Sequence, residues 1–154
     1  MEDYSQLIAA MKPVWEHHGF NPDETARLWI SLKTSGKVTM GCFLGEVEKE
    51  ATRRGWVKEV SDLLESKEFF IDYYEEAPFY EDCVMEAVAA PGSNEGIYVD
   101  FVCRWYDEQT HEHKRKVAGC VKSLDTSLDA MARLGAFAGK ITWLAYQMAD
   151  MFPW

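Results

Sequence analysis

Gly96-Ile97-Tyr98-Val99-Asp100-Phe101-Val102-Cys103-Arg104-Trp105-Tyr106, followed after a polar stretch by His113-Lys114-Arg115-Lys116-Val117-Ala118-Gly119-Cys120-Val121-Lys122, is the part of the chain that decides the fold class. In the first run Ile97, Val99, Phe101, Cys103 and Trp105 recur at every second position, which places them on one face of a strand. The second run alternates again through Val117, Gly119 and Val121, and Asp107 to Glu112 between them is polar. Two alternating runs joined by a short polar segment predict a β-hairpin. Pairing Phe101 with Val117 and Val99 with Gly119 keeps both apolar rows on one face, since a slip of one residue turns every side chain over. The other face then holds Tyr98, Asp100, Arg104, Lys114 and Lys116 as a half-solvated surface.

Upstream of the hairpin, Cys83 to Ala90 is expected as a strand, and Pro91-Gly92-Ser93-Asn94 as a turn. Phe69-Phe70-Ile71-Asp72-Tyr73-Tyr74 is aromatic without clear alternation and fits either a strand or an aromatic loop. The first 66 residues have a helical period instead. Tyr4, Leu7, Ile8, Met11, Val14, Trp15 and His18 form one stripe that Gly19 closes. Asn21-Pro22-Asp23-Glu24 restarts a helix, with Asn as cap, Pro in the first turn and acids at the positive dipole end. This second helix carries Ala26, Trp29 and Ile30 and stops near Ser35-Gly36. A third is expected from Thr39 to Gly55, and a shorter fourth carries Val57, Val60, Leu63 and Leu64.

Downstream, Thr126-Ser127-Leu128-Asp129 has the spacing of a capping box and starts a last helix. That helix has a stripe of small residues (Gly135, Ala138, Gly139, Thr142, Ala145, Ala149) beside a stripe of large ones (Leu134, Phe137, Ile141, Leu144, Met148). The small stripe is expected to face the sheet, with Gly139 buried where the two backbones approach. The fold class is α+β: an N-terminal layer of about four helices, then an antiparallel sheet of three or four strands covered by a long C-terminal helix. A chain of 154 residues fits one domain, residues 1–154, with a helical part over 1–66 and the sheet and last helix over 67–154.

The formal charge is −10, from 16 basic and 26 acidic residues. Its distribution says more than its size. Residues 1–68 carry 12 acids and nine bases, residues 69–90 carry six acids and no base, and residues 111–123 carry four bases against Glu112. An acidic field disfavours nucleic acid and anionic membranes and favours basic partners. The four cysteines, Cys42, Cys83, Cys103 and Cys120, have neither zinc-site spacing nor a disulfide framework. The acidic start lacks the features of a secretory signal. Reduced, mostly buried thiols and a cytoplasmic location are therefore expected.

Motifs that would name a reaction are missing. There is no GxSxG, GxxxxGK[ST] or GxGxxG. His111-Glu112-His113 places two imidazoles on one side of a strand, but Lys114-Arg115-Lys116 follows and would repel a divalent ion. It is taken as a solvated hairpin end. The same three bases beside Trp105 and Tyr106 form a small basic-aromatic spot of the kind that stacks on bases.

The most unusual stretch is Ile71-Asp72-Tyr73-Tyr74-Glu75-Glu76-Ala77-Pro78-Phe79-Tyr80-Glu81-Asp82, where acids and aromatics mix without a basic residue. Rings supply contact area at low entropic cost, and carboxylates steer and pair with cationic groups. Asp72, Tyr73, Tyr74, Glu75, Glu76, Phe79, Tyr80, Glu81 and Asp82 are the candidate partner-binding residues. The competing reading makes the rings core and the acids a solvated edge that discourages strand addition. The expected function is that of a small acidic binding or inhibitory protein, without catalysis, cofactor or metal, that blocks a basic protein surface. The surface blocked would be, for example, that of a nucleic-acid-binding protein. Phage counter-defence proteins, nucleic-acid mimics and immunity proteins share this composition, and a homodimer is compatible with it. The alternatives are an enzyme or metal-dependent domain of unknown reaction and a nucleic-acid-linked regulator.

Overall fold

The computed structural model of the chain describes residues 3–35, 38–64, 68–74, 79, 84–93 and 96–153, without the side chains of 35 and 90–93. Four helices come first: α1 (Ser5–His17), α2 (Pro22–Ser35), α3 (Met40–Arg53) and α4 (Trp56–Leu63). Their ends follow the local chemistry of the sequence. Gly19, at φ +85°, takes the chain out of α1. Asn21 Oδ1 then accepts from the N–H groups of Asp23 and Glu24 at 3.1 and 3.0 Å, capping α2. Thr39 Oγ1 caps α3 by accepting from Cys42 N–H at 3.2 Å. Glu50 of α3 is buried, yet its carboxylate accepts from Asn21 N–H at 2.9 Å and pairs with Arg53 at 2.8 Å. A buried charge needs such partners, and this one ties the α1–α2 joint to α3.

The sheet has four antiparallel strands, β1 (Phe69–Tyr73), β2 (Val84–Ser93), β3 (Gly96–Asp107) and β4 (Glu112–Ser123), in spatial order β1-β4-β3-β2. The aromatic stretch at 69–73 is thus a strand, and it lies on the far edge from β2. Strand β2 runs on through Pro91, Gly92 and Ser93, where the sequence predicts a turn, with a register irregularity between Ala90 and Ser93. An edge strand tolerates Pro because the missing N–H need not face a neighbour.

The hairpin register differs from the expected one. Phe101 pairs with Gly119 and Val99 with Val121, while Val102 pairs with Val117. Ala118 is left over as a bulge, which shifts the phase of β4 by one residue on either side of it. Val117 therefore lies opposite Val102, away from the face of Phe101. Lys114 and Lys116 pair with Trp105 and Cys103 on the helix side, and Arg115 and His113 take the outer positions opposite Arg104 and Tyr106.

Helix α5 (Leu128–Asp150) follows the sheet. Its cap is Ser127, whose Oγ accepts from Ala130 N–H at 3.1 Å, and Asp129 pairs with Arg133 at 2.7 Å instead of closing a capping box. The expected packing of α5 is corrected. Leu134, Phe137, Ile141, Leu144 and Met148 are buried together with Ala130, Ala138 and Ala145. Gly135 and Gly139 are exposed instead, and a β-carbon added at either would meet nothing within 4 Å. Turning the large residues inward removes more apolar surface from water, and that outweighs a closer backbone approach.

One core joins both parts of the chain. Trp15, Trp29, Phe43 and Leu44 from the helical layer share it with Val99, Phe101 and Val121 of the sheet and with α5. The ring of Phe69 lies 5.6 Å from that of Phe137, which fixes the inward face of β1 against α5. The C-terminal segment docks on this core. Met151 C=O accepts from the Trp15 indole N–H at 2.9 Å, and the Phe152 ring is 6.3 Å from Phe43. No helix among the described residues is long and apolar enough to cross a membrane.

Candidate binding face

The helices cover one face of the sheet, and alternation along the strands decides what the other face carries. Phe69, Ile71 and Tyr73 point to the core, so Phe70 and Asp72 point outward, and Phe70 and Tyr74 remain about 40 % exposed. The pairing of β1 with β4 and of β4 with β3 sets Asp72 opposite Cys120 and Cys120 opposite Asp100. Two carboxylates thus flank one thiol in a single cross-strand row. The neighbouring row is Phe70, Lys122 and Tyr98.

Tyr74 lies over Cys120, with Oη 3.6 Å from Sγ. The contact with Cys120, together with burial and the nearby carboxylates of Asp72 and Asp100, pushes the Tyr74 phenol up to about 12. Burial raises the Cys120 thiol, the hydrogen bond with Tyr74 opposes it, and the carboxylates of Asp72 and Asp100 raise it further against Lys122. The sulfur accordingly stays protonated, as befits packing and not nucleophilic chemistry. Burial also raises the Asp100 carboxyl, and Arg115 draws it back. Cys120 and Val102 are buried without belonging to the main core, so the outer face has a small apolar centre of its own.

The structure divides the sequence candidates. Asp72 and Tyr74 are on the outer face. Tyr73 points inward, toward Glu48 of α3, and burial raises its phenol strongly. Phe79 is packed on Phe43 at a ring distance of 4.5 Å. These two rings are half-buried against the core. Glu75, Glu76, Tyr80, Glu81 and Asp82 lie outside the described residues, as does Cys83. Asp100, Cys120, Phe70 and Tyr98 join the face although sequence reasoning does not single them out. Alternation puts Tyr98 and Asp100 on a solvated side, but their nearness to Asp72 exists only once β1 pairs with β4.

Cys103 and Cys120 are buried thiols outside any disulfide, and Cys42 is exposed. His111, at φ +55°, and His113 lie at the exposed hairpin end beside Tyr106. Among the described residues no group of three or more His, Cys, Asp or Glu side chains is placed to hold a metal ion. The row of Asp72, Cys120 and Asp100 with its flanking rings can accept hydrogen bonds from cationic groups and supply ring surface beside them. Compared with protein-family models, with curated proteins and with solved structures, the chain matches none.

Proposed function

We propose that this protein acts by binding, and that it blocks a basic protein surface with the β1 side of its open sheet face. The observation that supports this most is the row Asp72–Cys120–Asp100, with the exposed rings of Phe70 and Tyr74 beside it and, among the described residues, no helix over it. Cross-strand pairing holds the carboxylates on rigid backbone, so little ordering cost accompanies their use. Four more acids, Glu75, Glu76, Glu81 and Asp82, follow in sequence, and the chain as a whole carries −10. Such a field raises the encounter rate with a cationic partner and opposes direct contact with nucleic acid or anionic lipid. The molecule belongs on this reading with compact acidic inhibitors that work inside cells.

The test is kinetic. A partner recovered by affinity capture from the native host is purified, and its association with wild type is compared with that of Asp72→Asn/Asp100→Asn and of a charge reversal at Glu75, Glu76, Glu81 and Asp82. Both variants are expected to associate at least tenfold more slowly at low salt and to lose most of the salt dependence, with melting unchanged. Association rates that ignore both salt and charge would remove the face from the account.

A further inference from the structure

The other end of the same open face has the opposite charge. Because the Ala118 bulge shifts the phase of β4, Arg115 stands directly opposite Arg104 on the outer side. Val84 extends this row on β2, and the next row is Tyr106 opposite His113. A groove of about 450 Å³ is lined by these residues and by Trp105 and Lys114 beside them. That volume is in the range of small-molecule clefts. Like charges directly opposite one another on neighbouring strands destabilise a sheet, and an anion between the two guanidiniums would relieve that repulsion. Among the described residues, no acid stands between the two. Glu86 reaches Arg104 from the side, at 3.3 Å with both groups about half exposed, and Asp107 is taken by Lys114 at 2.9 Å. Among the described residues, Arg115 has the weaker pull of Asp100 in the next rows.

We infer that this groove binds a phosphate carried on an aromatic base, a ligand of mononucleotide size, with the phosphate between Arg104 and Arg115 and the base against Tyr106 and His113. Paired guanidinium forks match phosphate oxygens in geometry and charge. Tyr106 is 43 % exposed, and its ring meets that of His113 edge-on at 5.1 Å, with the apolar Val84 on the same side, so aromatic surface is available for a base to stack on. A long strand does not fit this site, because Glu86 and Asp100 lie on the same face and the net field of the chain is negative. The groove shares no described lining residue with the acidic row, and its test does not depend on the proposed partner.

The full chain is titrated by calorimetry with adenosine monophosphate, inorganic phosphate, a glutamate-rich hexapeptide and a ten-nucleotide oligothymidine, and the ring protons of Tyr106 and His113 are followed by NMR. Saturable binding of the mononucleotide, tighter than of phosphate alone and of the oligonucleotide, with shifts at Tyr106 and His113, is expected. Arg115→Gln should weaken it at least tenfold. The same substitution should leave the melting temperature unchanged or raised, because it relieves the repulsion with Arg104, a combination that a merely structural arginine would not give. Arg115→Lys, which keeps the charge and loses the fork, should fall between. No saturable binding at millimolar mononucleotide, equal binding of phosphate alone, or tighter binding of the acidic peptide or the oligonucleotide would each overturn the assignment.

Discussion

The hydroxyl of Tyr146 on α5 is held by the main chain of Met85 on the edge strand β2, donating to its C=O at 2.7 Å and accepting from its N–H at 2.9 Å. The edge of a sheet offers such groups to any passing strand, and a side chain that occupies them closes the position. Six residues further along, Pro91 has no N–H to offer. The β2 edge is thus obstructed in two places.

Tyr146→Phe is therefore expected to cost about 1 kcal/mol, the net value of the lost hydrogen bonds. It should also favour concentration-dependent association through β2. Urea denaturation and sedimentation of the variant check both effects. Unchanged stability together with a monomer at high concentration would show that the hydroxyl does not guard the edge.

Gly119 is the close-approach point between β4 and β1. A β-carbon there would lie 2.6 Å from Asp72 C=O and 3.0 Å from the Tyr73 ring. Gly119→Ala should destabilise by about 1–3 kcal/mol through overpacking. It should do so by loosening β1, read as faster hydrogen exchange over residues 69–73.

Gly135 and Gly139 behave in the opposite way. Both are helical, exposed and without neighbours, so alanine at either should stabilise by about 0.4–1 kcal/mol by restricting the unfolded chain. Gly139→Leu should likewise be tolerated. A loss of stability on these changes would mean that something covers the outer side of α5.

Tyr74 gives a pH dependence whose sign can be worked out. Its phenol titrates at about 12 in the folded chain against 10.0 for a free tyrosine. Between those values the folded state holds the proton that the unfolded state has lost, so stability is fully present below pH 10 and falls as pH rises toward 12. Tyr73 is raised as well and acts in the same direction. Absorbance titration in the near ultraviolet of wild type and Tyr74→Phe should differ by one phenol titrating late. A difference spectrum centred on the pH where a free tyrosine titrates would contradict the Tyr74–Cys120 contact.

Much of this architecture is legible in the sequence, and the failures have identifiable causes. The caps at Asn21 and Thr39 and the alternation of Ile97, Val99 and Phe101 are local signals, and the structure uses them. The bulge at Ala118 has no such signal. Pairing Phe101 with Val117 satisfies the apolar pattern, and only the bulge turns Arg115 outward to face Arg104. Strand β1 is ambiguous in sequence because both its faces are aromatic: Phe69 and Tyr73 go to the core while Phe70 and Tyr74 stay outside. For the same reason the acidic-aromatic block reads as one surface, although Tyr73 and Phe79 pack half-buried against the core. On α5 two apolar stripes lie side by side, and the choice between them depends on how much area the sheet can bury, a tertiary quantity.

The central claim, that the outer face around Asp72, Tyr74 and Asp100 receives a basic partner, is tested most directly by hydrogen exchange on the complex with the captured protein. Added protection is expected in Phe69–Tyr74 and in the facing parts of β4 and β3, around Cys120 and Asp100, with α1 and α2 unchanged. Protection confined to the helical layer, with residues 69–74 exchanging as in the free chain, would contradict it.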